Sequence, residues 1–388
     1  MSRKHILVLS RSLPFHSIGG MQAVAWDLVG QFARDGFRVT VLTTAIEGRQ
    51  QPFEGDGATV VPLSAAPAEK YGAAWWKASR QYVSEQLGSV DAVLSISAAA
   101  AGLLPLKSAM PDTRFVFQAH GTSLGEFVSK WRSGNPVQWA KSVKNLYWMA
   151  KDAAIYRGFD RFVLVGDVIR QQFDAWPLNW MVSGKPYEVI RNGIDTSVFR
   201  PDQISRARVR EESGWVGEDK VIAYAARLHP QKGGEWALRG FAQLRQKEAK
   251  AKLLMIGDGP DRTRLEQLAQ QLGLNGAVRF TGAVQREQIP ALLAAGDAFV
   301  FPTVRQEGLP LNVLEALAVG LPCVVSDLTR GVFDDKLPIR YVKAEDSAAM
   351  AAQLHSAVNG RRASASLLLP DYTLALCAQR YYEQLGVA

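Results

Sequence analysis

Short apolar runs of strand length alternate with amphipathic segments of helix length along the whole of this 388-residue chain. A strand that is apolar at every position has to be covered on both faces. The helix-length segments between successive runs are the natural covers, so the pattern calls for parallel sheets assembled from βαβ units, an α/β fold. In the first half the expected strands are Ile6 to Leu9, Arg38 to Leu42, Thr59 to Pro62, Ala92 to Ile96, Phe115 to Gln118 and Phe162 to Val165, with a helix from Met21 to Arg34. In the second half they are Val221 to Ala225, Lys252 to Ile256, Val278 to Thr281, Ala298 to Phe301 and Cys323 to Val325. Helices are expected around Glu235 to Gln246, Asp261 to Gln271, Ile289 to Ala294 and Leu311 to Ala318, and the alanine run Ala98 to Ala101 reads as an ordinary helix.

The length suits about two domains. A boundary falls near Phe199 to Glu218, where Arg200-Pro201-Asp202 follows an Asn-Gly turn, giving domains at 1–200 and 201–370. Each would be doubly wound, with a crevice at the carboxyl ends of its strands.

Composition excludes several classes. With 47% hydrophobic and 21% charged residues the chain is that of an ordinary soluble protein. The run His5 to Ser10 is too short for a signal-peptide core, and no stretch approaches a membrane span. Cys323 and Cys377 lie far apart without metal-ligand spacing, which implies neither a disulfide framework nor a zinc site and suits a cytoplasmic enzyme. The net charge of +8 is concentrated in residues 1–200, with 22 Lys plus Arg against 16 Asp plus Glu, while the remainder has 23 against 21. Phospholipid head groups or a phosphorylated acceptor suit that basic half; nucleic acid does not, because no recognised binding module accompanies the charge.

The most informative motif is Glu307-Gly-Leu-Pro-Leu-Asn-Val-Leu-Glu315-Ala-Leu-Ala-Val-Gly320-Leu-Pro322. Pro310 opens a helix that stops near Gly320, so one glutamate precedes the helix start and the other lies inside it. A helix start presents unpaired N–H groups and a partial positive charge, a setting for an anion such as phosphate. Carboxylates on either side then reach polar groups at both ends of a ligand with an anionic middle. A nucleoside diphosphate sugar has that layout.

This motif resembles the signature of the glycogen-synthase-like retaining transferases, glycosyltransferase family four. The resemblance implies the GT-B architecture, two doubly wound Rossmann-like domains facing a cleft, with a last helix near 371–388 packing back on the first domain. It implies that Glu307 contacts hydroxyls of the donor sugar, that Glu315 holds the ribose, and that Gly308, Leu309, Pro310, Leu311 and Asn312 line the donor at the helix start. Ala226-Arg227-Leu-His-Pro-Gln-Lys232-Gly233 is similar to the family's Gly-Arg-Leu-x-x-x-Lys-Gly, with Ala226 where glycine is usual. There Arg227 and Lys232 would stabilise the departing nucleotide, so that neither metal nor cofactor is needed. Gly257-Asp-Gly-Pro260 resembles another donor turn, and Phe280-Thr281-Gly282 the loop beside the nucleobase.

In the first half, Ser17-Ile-Gly19-Gly20 resembles the family's Gly-Gly loop at the donor diphosphate and acceptor, and His120 matches a histidine near the donor sugar. Arg191-Asn-Gly-Ile-Asp195 reads as a structural turn. Segment 124–161 interleaves Lys130, Arg132, Lys141, Lys144, Lys151 and Arg157 with Phe127, Trp131, Trp139, Tyr147, Trp148 and Tyr156. Such a mixture suits peripheral contact with the inner face of an anionic membrane, an anionic acceptor, or plain helix packing with solvated lysines. The expected partners are therefore a nucleotide sugar and a glycan or glycolipid acceptor. The competing expectations are a nucleotide-sugar 2-epimerase of the same fold, a non-catalytic sugar-nucleotide sensor and, more distantly, a dehydrogenase, which the absence of Gly-x-Gly-x-x-Gly disfavours.

Overall fold

The computed structural model describes residues 3–17, 19–121 and 151–388. The chain forms two compact units, Met1–Gly193 with Leu374–Ala388, and Ile194–Thr373.

The first unit is built on an eight-stranded sheet: β1 (His5–Leu9), β2 (Arg38–Thr44), β3 (Phe53–Gly55), β4 (Ala58–Leu63), β5 (Ala92–Ile96), β6 (Arg114–Ala119), β7 (Arg161–Leu164) and β8 (Tyr187–Val189), in the order β3-β4-β2-β1-β5-β6-β7-β8. All neighbours run parallel except β3, which returns antiparallel along β4. Every residue of β1 and β5 is buried, the two polar ones, His5 and Ser95, with hydrogen-bond partners in Thr40 and the Ser97 carbonyl. Helix α1 (Gly20–Arg34) covers part of the sheet by burying Val24, Leu28, Val29 and Phe32, a stripe of helical period, and α2 (Ala73–Gln86) buries Trp75 and Val83.

The second unit carries six parallel strands, β9 (Lys220–Ala225), β10 (Ala251–Ile256), β11 (Val278–Phe280), β12 (Ala298–Phe301), β13 (Cys323–Ser326) and β14 (Ile339–Val342), in the order β11-β10-β9-β12-β13-β14. Its helices are α3 (Gln203–Glu212), α4 (Gly234–Lys247), α5 (Arg262–Gln271), α6 (Ile289–Ala294), α7 (Leu311–Ala318) and α8 (Ser347–Asn359). Tyr224, Phe241, Met255, Phe299, Val313 and Leu317 belong to one continuous core. At the amino edge of this sheet Asp297 accepts hydrogen bonds from Arg206, Arg210 and the Val221 N–H at 2.6, 2.6 and 2.8 Å, a structural clasp on the edge away from the strand exits.

The last helix, α9 (Leu374–Leu385), belongs to the first unit, not the second. Leu374, Cys377, Ala378, Tyr381, Tyr382 and Leu385 form its buried stripe. Tyr381 accepts a 2.5 Å hydrogen bond from the Gln118 amide, Tyr382 donates one of 2.5 Å to Asp35, and Tyr382 packs 4.6 Å from the Phe37 ring.

Two expectations need correction. The second unit begins at Ile194, not 201, and ends at Thr373, not 370, because the two chain crossings are hydrogen-bonded side by side: the Ile194 N–H donates to Tyr372 O at 2.8 Å, and Phe199 is buried in the second core. Ala98 to Ala101 is not an α-helix. It lies in 3₁₀ turns spanning Ser97–Ala109, entered through Ser97 at φ +54, kinked at Ala98 and containing Pro105, which has no N–H to give.

Candidate functional site

In each sheet the strand order reverses once. The exits of the two strands flanking that reversal leave a crevice at the carboxyl edge, where doubly wound folds hold ligands. In the second unit the flanking strands are β9 and β12, and their exit loops carry Arg227, Lys232 and Glu307.

These loops are joined by backbone contact. Gly233 has φ +74, and a Cβ there would lie 1.8 Å from the Pro302 carbonyl oxygen, so only glycine lets the two exits approach. Lys232 Nζ then donates to Glu307 Oε1 at 2.7 Å. Thr303, fully buried, places its hydroxyl 3.1 Å from the same carboxylate oxygen and 3.0 Å from Gln231 O. The Lys232 carbonyl accepts a 3.1 Å hydrogen bond from Tyr224 Oη. Arg227, by contrast, is exposed and makes no side-chain hydrogen bond or ion pair among the described residues.

The same loops meet the start of α7. Pro310 is its N-cap and offers no side-chain cap. The Asn312 amide donates to Ala225 O at 2.7 Å, locking the helix start to the end of β9. Leu309 and Leu311 pack against the core, while Gly308 borders open space. Glu315, one turn further in, is only 5% exposed, and its Oε1 accepts from Arg286 at 3.1 Å. The Arg286 guanidinium lies 5.7 Å from the Phe199 ring centroid.

Gly257 closes β10 at φ +127, with the Ala226 carbonyl 2.3 Å from where a Cβ would stand. Its N–H donates to Thr281 Oγ1 at 3.2 Å, and it is bridged to Gly282. The structure therefore gathers Gly257, Thr281 and Gly282 beside the Arg227 loop. Ala226 accepts its extra methyl by packing on the core.

In the first unit the reversal lies between β1 and β5. Gly19, in extended backbone, caps α1, and Gly20 is its first residue, again with no side-chain cap. His120 follows β6. Its Nε2 lies 2.8 Å from Gln118 Oε1, and since an amide oxygen only accepts, Nε2 carries the hydrogen and Nδ1 remains an acceptor. Burial pushes this imidazole down to about 4, so His120 is neutral at neutral pH.

A histidine protonated at about 6.5 when unfolded but only near 4 when folded contributes fully above pH 6.5, and loses its contribution as the pH falls from 6.5 toward 4. Between pH 7.5 and 4.5 the wild-type first unit should lose about 2 to 3 kcal/mol more than His120→Asn, as measured by urea unfolding at both pH values. Equal losses would show that the ring is not desolvated.

Sequence reasoning did not find Arg286 or Thr303. Arg286 lies in a polar run, Gln285-Arg-Glu-Gln288, that follows the Thr281-Gly282 loop after Ala283 and Val284, and that position was the available signal. Segment 124–161 falls largely outside the described residues; of its named side chains, Lys151, Tyr156 and Arg157 are described, with Tyr156 in the first core. Among the described residues no group of three or more His, Cys, Asp or Glu is arranged to hold a metal ion, and no helix is long and apolar enough to cross a membrane.

Two family models match the chain, Glycosyltransferase Family 4 over residues 18–198 and Glycosyl transferases group 1 over residues 205–361. The chain belongs to the glycosyltransferases of family four and has the GT-B fold. It is 36% identical over 138 residues to the GDP-mannose-dependent alpha-(1-6)-phosphatidylinositol monomannoside mannosyltransferase of Mycolicibacterium smegmatis, a match covering 34% of this chain and 36% of that protein. Matches to such curated relatives span about a third of their length. Among solved structures, sucrose-phosphate synthase of Thermosynechococcus elongatus superimposes with a TM-score of 0.72 at 17% identity, covering 99% of each chain. HepE of Anabaena, in complex with UDP and glucose, does so at 0.71 and 18%, covering 100% of each chain.

Proposed function

We propose that the protein is a retaining, metal-independent glycosyltransferase that moves a hexose from a nucleoside diphosphate sugar to a hydroxyl of a glycan or glycolipid, in the synthesis of a bacterial cell-surface polysaccharide or lipopolysaccharide. A UDP-sugar is the favoured donor, and GDP-mannose the alternative that the mycobacterial relative's name supports. The observation that carries the proposal is the Lys232–Glu307 pair, set at the strand-order reversal beside the uncapped start of α7.

The chemistry follows from charge. Breaking the bond to the anomeric carbon leaves negative charge on the diphosphate, and Arg227, Lys232 and the N–H groups at the α7 start meet that charge. An ammonium has three donors, so Lys232 can hold Glu307 and still donate to a phosphate oxygen. Glu307, fixed by Lys232 and Thr303, accepts from the sugar hydroxyls and so orients the ring. Glu315, oriented by Arg286, takes the ribose hydroxyls. On the first unit, neutral His120 offers Nδ1 as a hydrogen-bond acceptor. Peripheral membrane contact through 124–161 is part of the same proposal.

A thermal-shift panel of UDP, GDP and ADP tests it, because a ligand present at about 100 times its dissociation constant stabilises the native state by about 2.7 kcal/mol. One nucleotide should raise the melting temperature in EDTA, and Glu315→Ala should abolish the rise. No response to any of the three overturns the proposal. Incubation with donor alone excludes the 2-epimerase reading if no isomerised sugar nucleotide forms.

A further inference from the structure

The loop between β1 and α1 is held by a network that the transferase chemistry does not use. Glu69, in the loop after β4, has φ +58, a conformation unfavourable for a non-glycine residue that persists only where surroundings enforce it. Its N–H donates to Thr44 Oγ1 at 2.9 Å, and the Thr44 hydroxyl donates to Arg11 O at 2.6 Å. Its carboxylate Oε1 accepts from the hydroxyls of Ser12 at 2.6 Å and Ser17 at 2.5 Å. Gln22, in the first turn of α1, donates to both serine oxygens at 3.1 Å. The Gln22 amide also lies over Gly19, where a Cβ would come within 2.5 Å of its Oε1.

One carboxylate oxygen thus gathers the start of the loop, its end and, through the serines, the first helical turn. We propose that Glu69 is a positioning residue: acting through Ser12 and Ser17, it sets the Gly19-Gly20 backbone in its ligand-ready geometry and does not itself touch the reacting atoms. The hydroxyls also hold its carboxyl below the usual range, which keeps it ionised as an acceptor. Glu69 is exposed, and α1 is held independently by its buried stripe, so removing the latch leaves the fold intact. The kinetic consequence rests on the transferase proposal; the structural one does not.

Two measurements on the full chain separate them. Hydrogen exchange of the peptide spanning Arg11 to Gln22 should accelerate in Glu69→Ala and in the pair Ser12→Ala/Ser17→Ala, with no further gain when all three are combined. Nucleoside diphosphate release from UDP-glucose and from GDP-mannose should fall about tenfold to a hundredfold in kcat/KM in each, the scale of a roughly 1 Å misplacement, again without summing. Glu69→Gln keeps an oxygen that accepts both hydroxyls and should restore most of the rate. Unchanged exchange, additive losses, or Glu69→Gln as impaired as Glu69→Ala would each overturn the latch. If the wild-type protein turns over neither donor, the transferase proposal fails while the exchange data still decide the latch.

Discussion

Arg227→Ala lowers turnover by about a hundredfold to a thousandfold and leaves the melting temperature unchanged, the loss expected when one preorganised charge facing a leaving group is removed. Arg227 is a cleaner target than Lys232. Arg227 is exposed and supports no other side chain among the described residues, so its loss acts on substrate alone. Lys232→Ala should cost a similar factor, but it also strips Glu307, only 15% exposed at its side chain, of its ammonium partner. Steady-state nucleotide release together with thermal unfolding of both variants checks this. Near-normal turnover in Arg227→Ala removes that residue from the mechanism.

Gly233→Ala destabilises the second unit by several kcal/mol, about 3 to 5, because strain and overlap act together. The residue needs a left-handed φ of +74, and its new methyl would meet the Pro302 carbonyl at 1.8 Å, a backbone atom that cannot rotate away. Relief requires the β9 and β12 exits to separate, which also parts Lys232 from Glu307. Gly308→Ala is the control: a Cβ there meets nothing within 4 Å, and its stability should stay within about 0.5 kcal/mol of wild type. Urea unfolding of the two variants makes the comparison, and equal stabilities would refute the close-approach argument.

The central strands were legible because burial on both faces calls for a largely apolar run, as in β1, β5, β9 and β13, each of which holds a single polar residue. The strands β3, β8 and β14 were not, since each sits at or beside a sheet edge, is three or four residues long and is largely half-exposed. Nothing obliges such a strand to be apolar. The same logic divides the site. Motif spacing pointed to Glu307 and Lys232, and the structure puts them in contact; it also turns Glu315 inward, against Arg286. Arg286 and Thr303 reach the site through tertiary contact from separate loops, and no local pattern announces such a contact.

The return of α9 to the first unit sets an order of events during synthesis. All of Ile194–Thr373 leaves the ribosome before Leu374 does, so the second unit can close while the first still lacks its last helix. Until then Phe32, Phe37 and Gln118 have no Tyr381 or Tyr382 to pack against or hydrogen-bond. A nascent chain of this design carries that apolar face open for as long as Ile194–Thr373 is being made. A stop codon placed before Leu374 would leave that face open for good.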